Sequence, residues 1–386
     1  MNVGKYYVIY CNEVFLGGFM KIYSNFDAGS VVVNNIDGHT ATLSLRKDSN
    51  ADFMQWFYFK VQVDKITNCG FSFVNAGESS YPEGWVDYNV CYSYDRQHWS
   101  RIKSYYDGEV FSFNLLPEQQ SFYIAYFAPY SFERHLDFLS YAQISPLCKL
   151  VPVCKTLDGR ELTMLKIGQG EKCYWVTARQ HPGESMAEWF IEGFVEKLLD
   201  EDDTVSQKLL SEATFYIMPN MNPDGSVRGN LRTNASGANL NREWLSPTAD
   251  RSPEVFYLRK LMYEIGVDLF LDIHGDEAIP YNFVAGNEGN PSYGARIKEL
   301  ESQFKSTLLE VSSEFQVKFG YDLDKPGKAD LSKATNYVGE HFDCLAYTIE
   351  MPFKDNMNCP DLAQGWSIKR SKKFSEDIIL TLFKTL

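Results

Sequence analysis

The chain has no closely spaced cysteine pairs and few histidines. Its 386 residues include eight cysteines, none of them in a CxxC motif, and only six histidines. Cysteine-based structural zinc sites bind the metal with closely spaced pairs, so a zinc-finger type of protein is disfavoured. We expect the cysteines to be small buried residues in a reducing compartment, without a disulfide framework.

Long apolar runs and an excess of positive charge are also missing. No stretch resembles a transmembrane span, and the start of the chain, MNVGKYYVIYCNEVF, lacks the basic residues and apolar core of a signal peptide. The formal net charge of −14 disfavours binding to nucleic acids and to anionic membranes. We therefore expect a cytoplasmic protein with neither partner. The oligomeric state is left open.

The pattern of apolar segments changes near residue 150. Residues 1–150 contain short aromatic or β-branched segments separated by turn residues, namely QWFYFKVQV, CGFSFVN, NVCYSY, VFSFNLL and SFYIAYFA. This spacing predicts an all-β antiparallel sandwich domain. In residues 151–386, apolar segments such as CYWVTA, TFYIMPN, DLFLDIHG and LAYTIEMPF alternate with longer helical patterns. That alternation predicts an α/β domain with a mainly parallel mixed sheet flanked by helices.

Polar residues follow four of the apolar segments in the second domain. His181 and Glu184 follow CYWVTA, the sequence NPDG at 222–225 follows TFYIMP, His274 ends DLFLDIH, and Glu350 ends LAYTIE. Sites in α/β proteins lie beyond the carboxyl ends of the strands. We therefore expect these residues to converge on one crevice.

Each of these features alone has an ordinary structural explanation. A single HxxE pair is more often a solvated turn than a metal site, and one histidine after a strand is usually a hydrogen-bonded turn residue. Glu350 is harder to explain, because burying a carboxylate without a partner is unfavourable by several kcal/mol. Two of the six histidines fall at these strand ends. The coincidence favours a common functional site.

Two histidines and one carboxylate form a donor set typical of catalytic zinc, with the fourth position left for water. His181 and Glu184 are three residues apart, and His274 comes from another strand. We predict that these three residues bind one zinc ion per chain, which activates a water molecule. Glu350 would accept the proton of that water and pass it to the leaving nitrogen.

The motifs HPGE, NPDG, NLRTNASGANLNREW, DIHG and YTIEMPF resemble, in order, those of the zinc carboxypeptidases of the pancreatic type. The segments QWFYFKV, SYDRQHWSRI and FYIAYFAPYSFERHL resemble the N-terminal β-domain of the cytosolic carboxypeptidases. That branch includes many bacterial members, and its eukaryotic members trim glutamates from tubulin tails. The resemblance implies a metallocarboxypeptidase that removes C-terminal residues from peptides or proteins.

The resemblance also assigns roles to individual residues. It implies that His181, Glu184 and His274 bind zinc and that Glu350 is the general base. Asn241 and Arg242 match the pair that binds the terminal carboxylate of the substrate, which suits the bidentate guanidinium group. Arg232 matches the arginine that polarises the scissile carbonyl and stabilises its oxyanion.

The sequence departs from the family pattern at two points. Asn239 replaces an aspartate that supports a zinc-ligand histidine, and the neutral amide should make that histidine a less basic ligand. The tyrosine that covers substrate in the pancreatic enzymes has two candidates, Tyr321 and Tyr337, of which we assign Tyr337 to substrate binding.

Two other functions compete with the carboxypeptidase. An amidohydrolase of the aspartoacylase type shares the HxxE and NLNR-like motifs, but it lacks the NPDG segment and the aromatic β-domain. A catalytically inactive binding module would be favoured by loss of a ligand or of the base, and neither is lost. The branch suggests a preference for acidic C-terminal residues, for which Lys325, Lys328 and Lys333 are candidate cations.

Overall fold

The computed structural model describes residues 20–385. Cys11 and the stretch MNVGKYYVIYCNEVF lie outside the described residues. The cysteines within residues 20–385 are free thiols, and four of these are buried: Cys69, Cys91, Cys148 and Cys344. None of the helices in the described part of the chain has the length and apolar character needed to cross a membrane.

The first part of the chain forms two five-stranded sheets, as the alternating aromatic segments predict. One sheet has the order β1-β4-β10-β6-β7 and the other β2-β3-β5-β9-β8. The strands are β1 Met20–Tyr23, β2 Val32–Asp37, β3 Thr40–Ser44, β4 Tyr58–Val63, β5 Cys69–Phe73, β6 Val90–Ser93, β7 Ser100–Ile102, β8 Ser104–Tyr106, β9 Phe111–Leu115 and β10 Ser121–Ala125. Strands β3 and β5 pair in parallel, because β4 between them in sequence lies in the other sheet.

The second part contains a seven-stranded mixed sheet in the order β11-β12-β14-β13-β15-β17-β16. Its strands are β11 Cys148–Lys155, β12 Glu161–Ile167, β13 Lys172–Ala178, β14 Ala213–Met218, β15 Leu269–Asp276, β16 Phe283–Ala285 and β17 Leu345–Pro352. Strands β14, β13, β15 and β17 are parallel neighbours, and antiparallel strands flank them. These four are the apolar segments on which the α/β prediction rested.

Helices cover both faces of this sheet. They are α1 Phe132–Ala142, α2 Ser185–Leu198, α3 Thr204–Glu212, α4 Pro223–Arg228, α5 Pro253–Ile265, α6 Ala295–Val311, α7 Ala334–Phe342 and α8 Ile368–Thr385. Alternate residues of β13 enter different cores: Val176 packs in the cluster that includes α2 and α8, and Trp175 in the one that includes α5 and α7. Strands buried on both faces explain the nearly continuous apolar runs.

The two parts of the chain pack together through aromatic and polar contacts. Tyr126 stacks on Phe353 with ring centroids 4.6 Å apart. Arg101 donates to the carbonyl oxygens of Phe353 and Trp366 at 2.9 and 3.0 Å. Strand β11 begins at Cys148, so it spans the predicted boundary at residue 150. The division into domains 1–150 and 151–386 stays a prediction.

Candidate active site

The turn after β13 and the end of β15 bring the three predicted zinc ligands together. The Nδ1 atoms of His181 and His274 lie 2.7 and 2.8 Å from the two carboxylate oxygens of Glu184, and 3.2 Å from each other. All three side chains are buried, with at most 4% of each residue exposed. Within residues 20–385, this is the group of donors that could hold a metal ion.

The backbone of the turn is held by a neighbouring buried arginine. Arg179 follows β13 with a left-handed φ of 58°. Its guanidinium donates to the carbonyl oxygens of Pro182 and Tyr130 and to the carboxylate of Glu188. These contacts hold the backbone between His181 and Glu184 in place. Helix α2 starts directly after Glu184.

The second nitrogen of each imidazole also has a partner. His274 Nε2 lies 2.7 Å from Asp272 Oδ2, and His181 Nε2 lies 3.1 Å from Asn239 Oδ1. Such partners fix the imidazole so that the other nitrogen faces the metal. Asn239 can thus replace the family's aspartate geometrically, but it contributes no charge.

The charges of the three ligands suit a cation. The two imidazoles outweigh the effect of burial and hold the pKa of Glu184 below its usual range. Burial and the nearby Arg232 lower the pKa of His181 to about 4, so this imidazole is neutral near pH 7. Burial opposes the charged form of His274, but Asp272 and Glu184 raise its pKa well above the usual value. An ionised carboxylate and neutral Nδ1 donors are what zinc requires, and a cation would replace the proton on His274.

Glu350 lies beside the donor set because β15 and β17 are in register. His274 and Glu350 are paired Cα neighbours across these parallel strands. Glu350 Oε1 accepts a hydrogen bond from the Tyr321 hydroxyl at 3.0 Å, and its Oε2 is buried with no hydrogen-bond partner in residues 20–385. Burial raises the pKa of Glu350 well above its usual value, and the carboxylates of Glu184 and Asp276 act in the same direction.

A cleft of about 820 Å³ is lined by His181, Glu184 and Glu350. Its lining also includes five other side chains that the sequence singles out, which are Arg232, Asn241, Arg242, Tyr321 and Lys333. The first domain contributes Tyr81 and Glu83 to its wall. The cleft therefore lies at the junction of the two parts of the chain.

The two arginines present positive charge to the cleft. Arg242 Nη1 donates to the carbonyl oxygen of Asn241 at 2.6 Å, and its nearest ion-pair partner is Asp330 at 3.9 Å. Burial and the neighbouring Arg232 lower the pKa of Arg242. Asn241 Oδ1 accepts from the Ala334 amide at 2.8 Å, which fixes the orientation of its side-chain amide. A carboxylate would relieve the repulsion between the two guanidinium groups.

The two candidate tyrosines lie in different places. Tyr337 is 4% exposed, packs beside Trp244, and has its hydroxyl 2.7 Å from that of Tyr263. The structure does not bring it to the cleft, because the side of α7 that carries Thr335 and Asn336 lines the cleft instead. Tyr321 does line the cleft, and its hydroxyl bridges Glu350 and Asp276.

Asp272 and Asp276 also belong to the site, although the sequence reasoning did not single them out. The side chains of a strand alternate between its faces, so residues 272, 274 and 276 of β15 share one face. The alternation in the sequence DIHGD could therefore have indicated that both aspartates lie on the same face as His274. Lys325 and Lys328 are exposed and outside the cleft lining.

Comparison with known proteins agrees with this geometry. Residues 136–371 match the zinc carboxypeptidase family, and residues 22–127 match the cytosolic carboxypeptidase N-terminal domain. The chain therefore belongs to the zinc carboxypeptidases. It is a zinc-dependent metallocarboxypeptidase, a peptide hydrolase, and it carries the N-terminal domain of the cytosolic carboxypeptidases.

Solved structures of bacterial enzymes are similar over nearly the whole chain. A metallo-carboxypeptidase from Burkholderia cenocepacia is 44% identical, with a TM-score of 0.93 over 95% of this chain and 99% of that one. A metallo-carboxypeptidase from Pseudomonas aeruginosa, in complex with (2-guanidinoethylmercapto)succinic acid, is 45% identical, with a TM-score of 0.92 over 94% and 98%. Cytosolic carboxypeptidase 6 of Caenorhabditis elegans is 26% identical over 87% of this chain and 79% of its own length.

The partners of the imidazoles lead to a prediction about zinc affinity. Asn239→Asp places a carboxylate beside His181 Nε2, which makes this imidazole a more basic ligand. We expect zinc to bind about tenfold more tightly. Asp272→Asn removes the corresponding charge beside His274 and should weaken binding by about 10–100-fold. Competition with a chelator of known zinc affinity measures both changes. Equal affinity in the parent and both variants would contradict this account of the ligands.

Proposed function

We propose that this metallocarboxypeptidase is an exopeptidase that releases the C-terminal residue of peptides or proteins, with Glu350 as the general base. The observation that carries this proposal is the cleft itself, whose lining includes two residues of the donor set, the buried carboxylate of Glu350 and two guanidinium groups.

The residues present suit a zinc ion held by His181, Glu184 and His274. When bound, zinc supplies a Lewis acid that lowers the pKa of water and polarises a carbonyl group. Glu350 accepts the proton of the attacking water at Oε2, which has no hydrogen-bond partner among residues 20–385, and delivers it to the leaving nitrogen. Burial raises the pKa of Glu350, which suits a proton donor, whereas positive charge at the neighbouring donor set acts in the opposite direction and would favour the ionised form that accepts the proton.

Arg232 and Arg242 divide the binding of the substrate between them. Arg232 stabilises the negative charge that develops on the carbonyl oxygen. Asn241 and Arg242 bind the terminal carboxylate, a contact that exists only at the end of a chain. Tyr321 takes the place that we assigned to Tyr337, because it lines the cleft and its hydroxyl donates to Glu350.

We also propose a preference for acidic C-terminal residues. Lys333 lines the cleft, and no ion pair involves its ammonium group within residues 20–385. Lys305 lines the same cleft but is paired with Glu288 at 2.7 Å. Lys318 also lines the cleft, but its ammonium nitrogen lies 5.1 Å from the ring centre of Phe319. We therefore assign the binding of an acidic side chain of the substrate to Lys333.

The cellular setting is part of the same proposal. The related protein from Caenorhabditis elegans is named as cytosolic, which supports a cytoplasmic location for this chain. The net charge of −14 supports a protein that binds neither nucleic acid nor anionic membranes. The substrates are then intracellular peptides or exposed protein C-termini.

The role of Glu350 can be tested by removing its basicity alone. Glu350→Gln should lower kcat by about 10²–10⁴, because an amide cannot accept the proton of water. Zinc content, measured by atomic absorption, should stay at one per chain. Glu83→Gln, the same change at an exposed carboxylate of the cleft wall, should keep kcat within about threefold. A Glu350→Gln enzyme with full zinc and kcat within tenfold of the parent would remove Glu350 from the mechanism.

The direction of attack can be tested with amidated peptides. Amidation removes the charge that Arg242 binds and should cost about 2–5 kcal/mol, or at least about 30-fold in kcat/KM. Arg242→Ala should erase the difference between free and amidated peptides. Arg296→Ala, which removes an exposed arginine paired with Asp343, should leave the difference intact. Equal cleavage of both peptides by the parent would indicate an endopeptidase or an amidohydrolase.

The preference for acidic residues can be tested with peptides that differ only in the last residue. We expect the parent to prefer C-terminal glutamate to leucine. Lys333→Met should lower the ratio of kcat/KM for the glutamate peptide to that for the leucine peptide by about tenfold. Lys328→Met removes an exposed lysine outside the cleft lining and should not change it. The ratios of kcat/KM for the two peptides measure the effect. The same loss in both variants would indicate a general charge effect and not a contact with Lys333.

A further inference from the structure

A loop of the first domain holds the segment of the second domain that carries Arg232. Residues 46–53 form this loop, and residues 228–237 form the segment. The Ser49 amide donates to Asn230 Oδ1 at 3.0 Å, and Asn50 Nδ2 donates to the carbonyl oxygen of Ala235 at 2.9 Å. Gly237 allows the closest approach, since a Cβ there would lie 2.2 Å from the carbonyl oxygen of Asn50.

Asp48 makes the central contact of this loop. Its carboxylate is buried, with the residue 6% exposed, and accepts hydrogen bonds from three consecutive backbone amides of the other domain. Oδ1 accepts from Leu231 N at 2.5 Å, and Oδ2 accepts from Arg232 N at 2.8 Å and Thr233 N at 2.9 Å. The Thr233 hydroxyl adds a fourth hydrogen bond at 3.0 Å. The peptide planes on both sides of Arg232 are thus fixed, and with them the direction of its side chain.

The same domain also guides the side chain of Arg232. Its guanidinium carbon lies 5.7 Å from the ring centre of Phe53 and 5.4 Å from that of Tyr81. The Asp48 amide donates to the carbonyl oxygen of Phe53 at 2.7 Å. The carboxylate that binds the backbone of Arg232 and one of the rings beside its guanidinium therefore belong to the same closed loop. No ion pair involves this guanidinium within residues 20–385. Its N–H groups are therefore available to an oxygen atom of the substrate.

We propose that Asp48 is a positioning residue that aims Arg232 at the scissile carbonyl, so that the N-terminal domain completes the active site. This inference rests on the proposed role of Arg232. An oxyanion donor acts through its geometry, and a displacement of about 1 Å can lower a rate by about 100-fold. Weakening the hydrogen bonds from Asp48 to the backbone at residues 231–233 should therefore lower the rate, although Asp48 itself contacts no substrate.

A double-mutant cycle separates this role from general stabilisation. Asp48→Asn keeps the shape of the side chain but loses one acceptor oxygen, so one buried amide is left without a partner. In the parent it should lower kcat by about 10–100-fold and change KM by less than threefold. In the Arg232→Ala enzyme the same change should lower kcat by less than about threefold, because there is no guanidinium left to aim.

A matched control comes from the same loop. Asn50→Ala removes the contact with Ala235, three residues after Arg232, and should lower Tm while leaving kcat within about threefold. If Asp48→Asn does not fold, Thr233→Val replaces it, since this change removes only the hydroxyl contact with Asp48. A loss of about threefold in the parent and none in the Arg232→Ala enzyme is then expected.

The outcomes distinguish this inference from the proposed function. If Arg232→Ala keeps kcat/KM within about tenfold of the parent, the assignment of Arg232 fails, and the role of Asp48 fails with it. If Arg232→Ala is strongly impaired but Asp48→Asn lowers kcat equally in both backgrounds, Asp48 does not act through Arg232. If Asp48→Asn lowers only Tm, the residue is merely structural. The last two outcomes overturn this inference and leave the proposed function standing.

Discussion

The active site depends on one constraint, which is the burial of the Glu184 carboxylate between two imidazole rings. Its oxygens lie 2.7 and 2.8 Å from His181 Nδ1 and His274 Nδ1. A buried carboxylate is unfavourable unless positive charge and hydrogen bonds compensate it. The parallel alignment of β13 and β15 meets this requirement, because it brings the turn after one strand to the end of the other. Asp272 and Asn239 then fix the outer nitrogens of the two rings, and the register of β17 adds Glu350.

The N-terminal domain contributes to this site in two ways. It lines the cleft with Tyr81 and Glu83, and its carboxylate at Asp48 holds the backbone of the segment that carries Arg232. The high aromatic content of this domain is used partly at the interface, where Tyr126 stacks on Phe353 three residues after Glu350. In this account, the two domains share one cleft and act as a single catalytic unit.

Much of this arrangement could be predicted from the sequence, for definite physical reasons. The four central strands are buried on both faces, so they stand out as apolar runs, and the polar residues that follow them mark the site. The strand β2 was missed because its residues Val32–Asp37 are almost all exposed and carry no apolar pattern. Tyr321 lies in an irregular stretch without helical or strand periodicity, so nothing local favoured it over Tyr337. Asp48 is more than 180 residues from its partners, and contacts between domains leave no local signal.

The most direct test of the account is the pattern of products from a peptide with a free C-terminus, with and without metal. Mass spectrometry should show single residues lost in order from that end. A chelator should stop the reaction, and one equivalent of zinc per chain should restore it. Cleavage at internal bonds, or undiminished release by protein shown to be free of metal, would contradict the claim that a zinc centre at His181, Glu184 and His274 performs C-terminal hydrolysis.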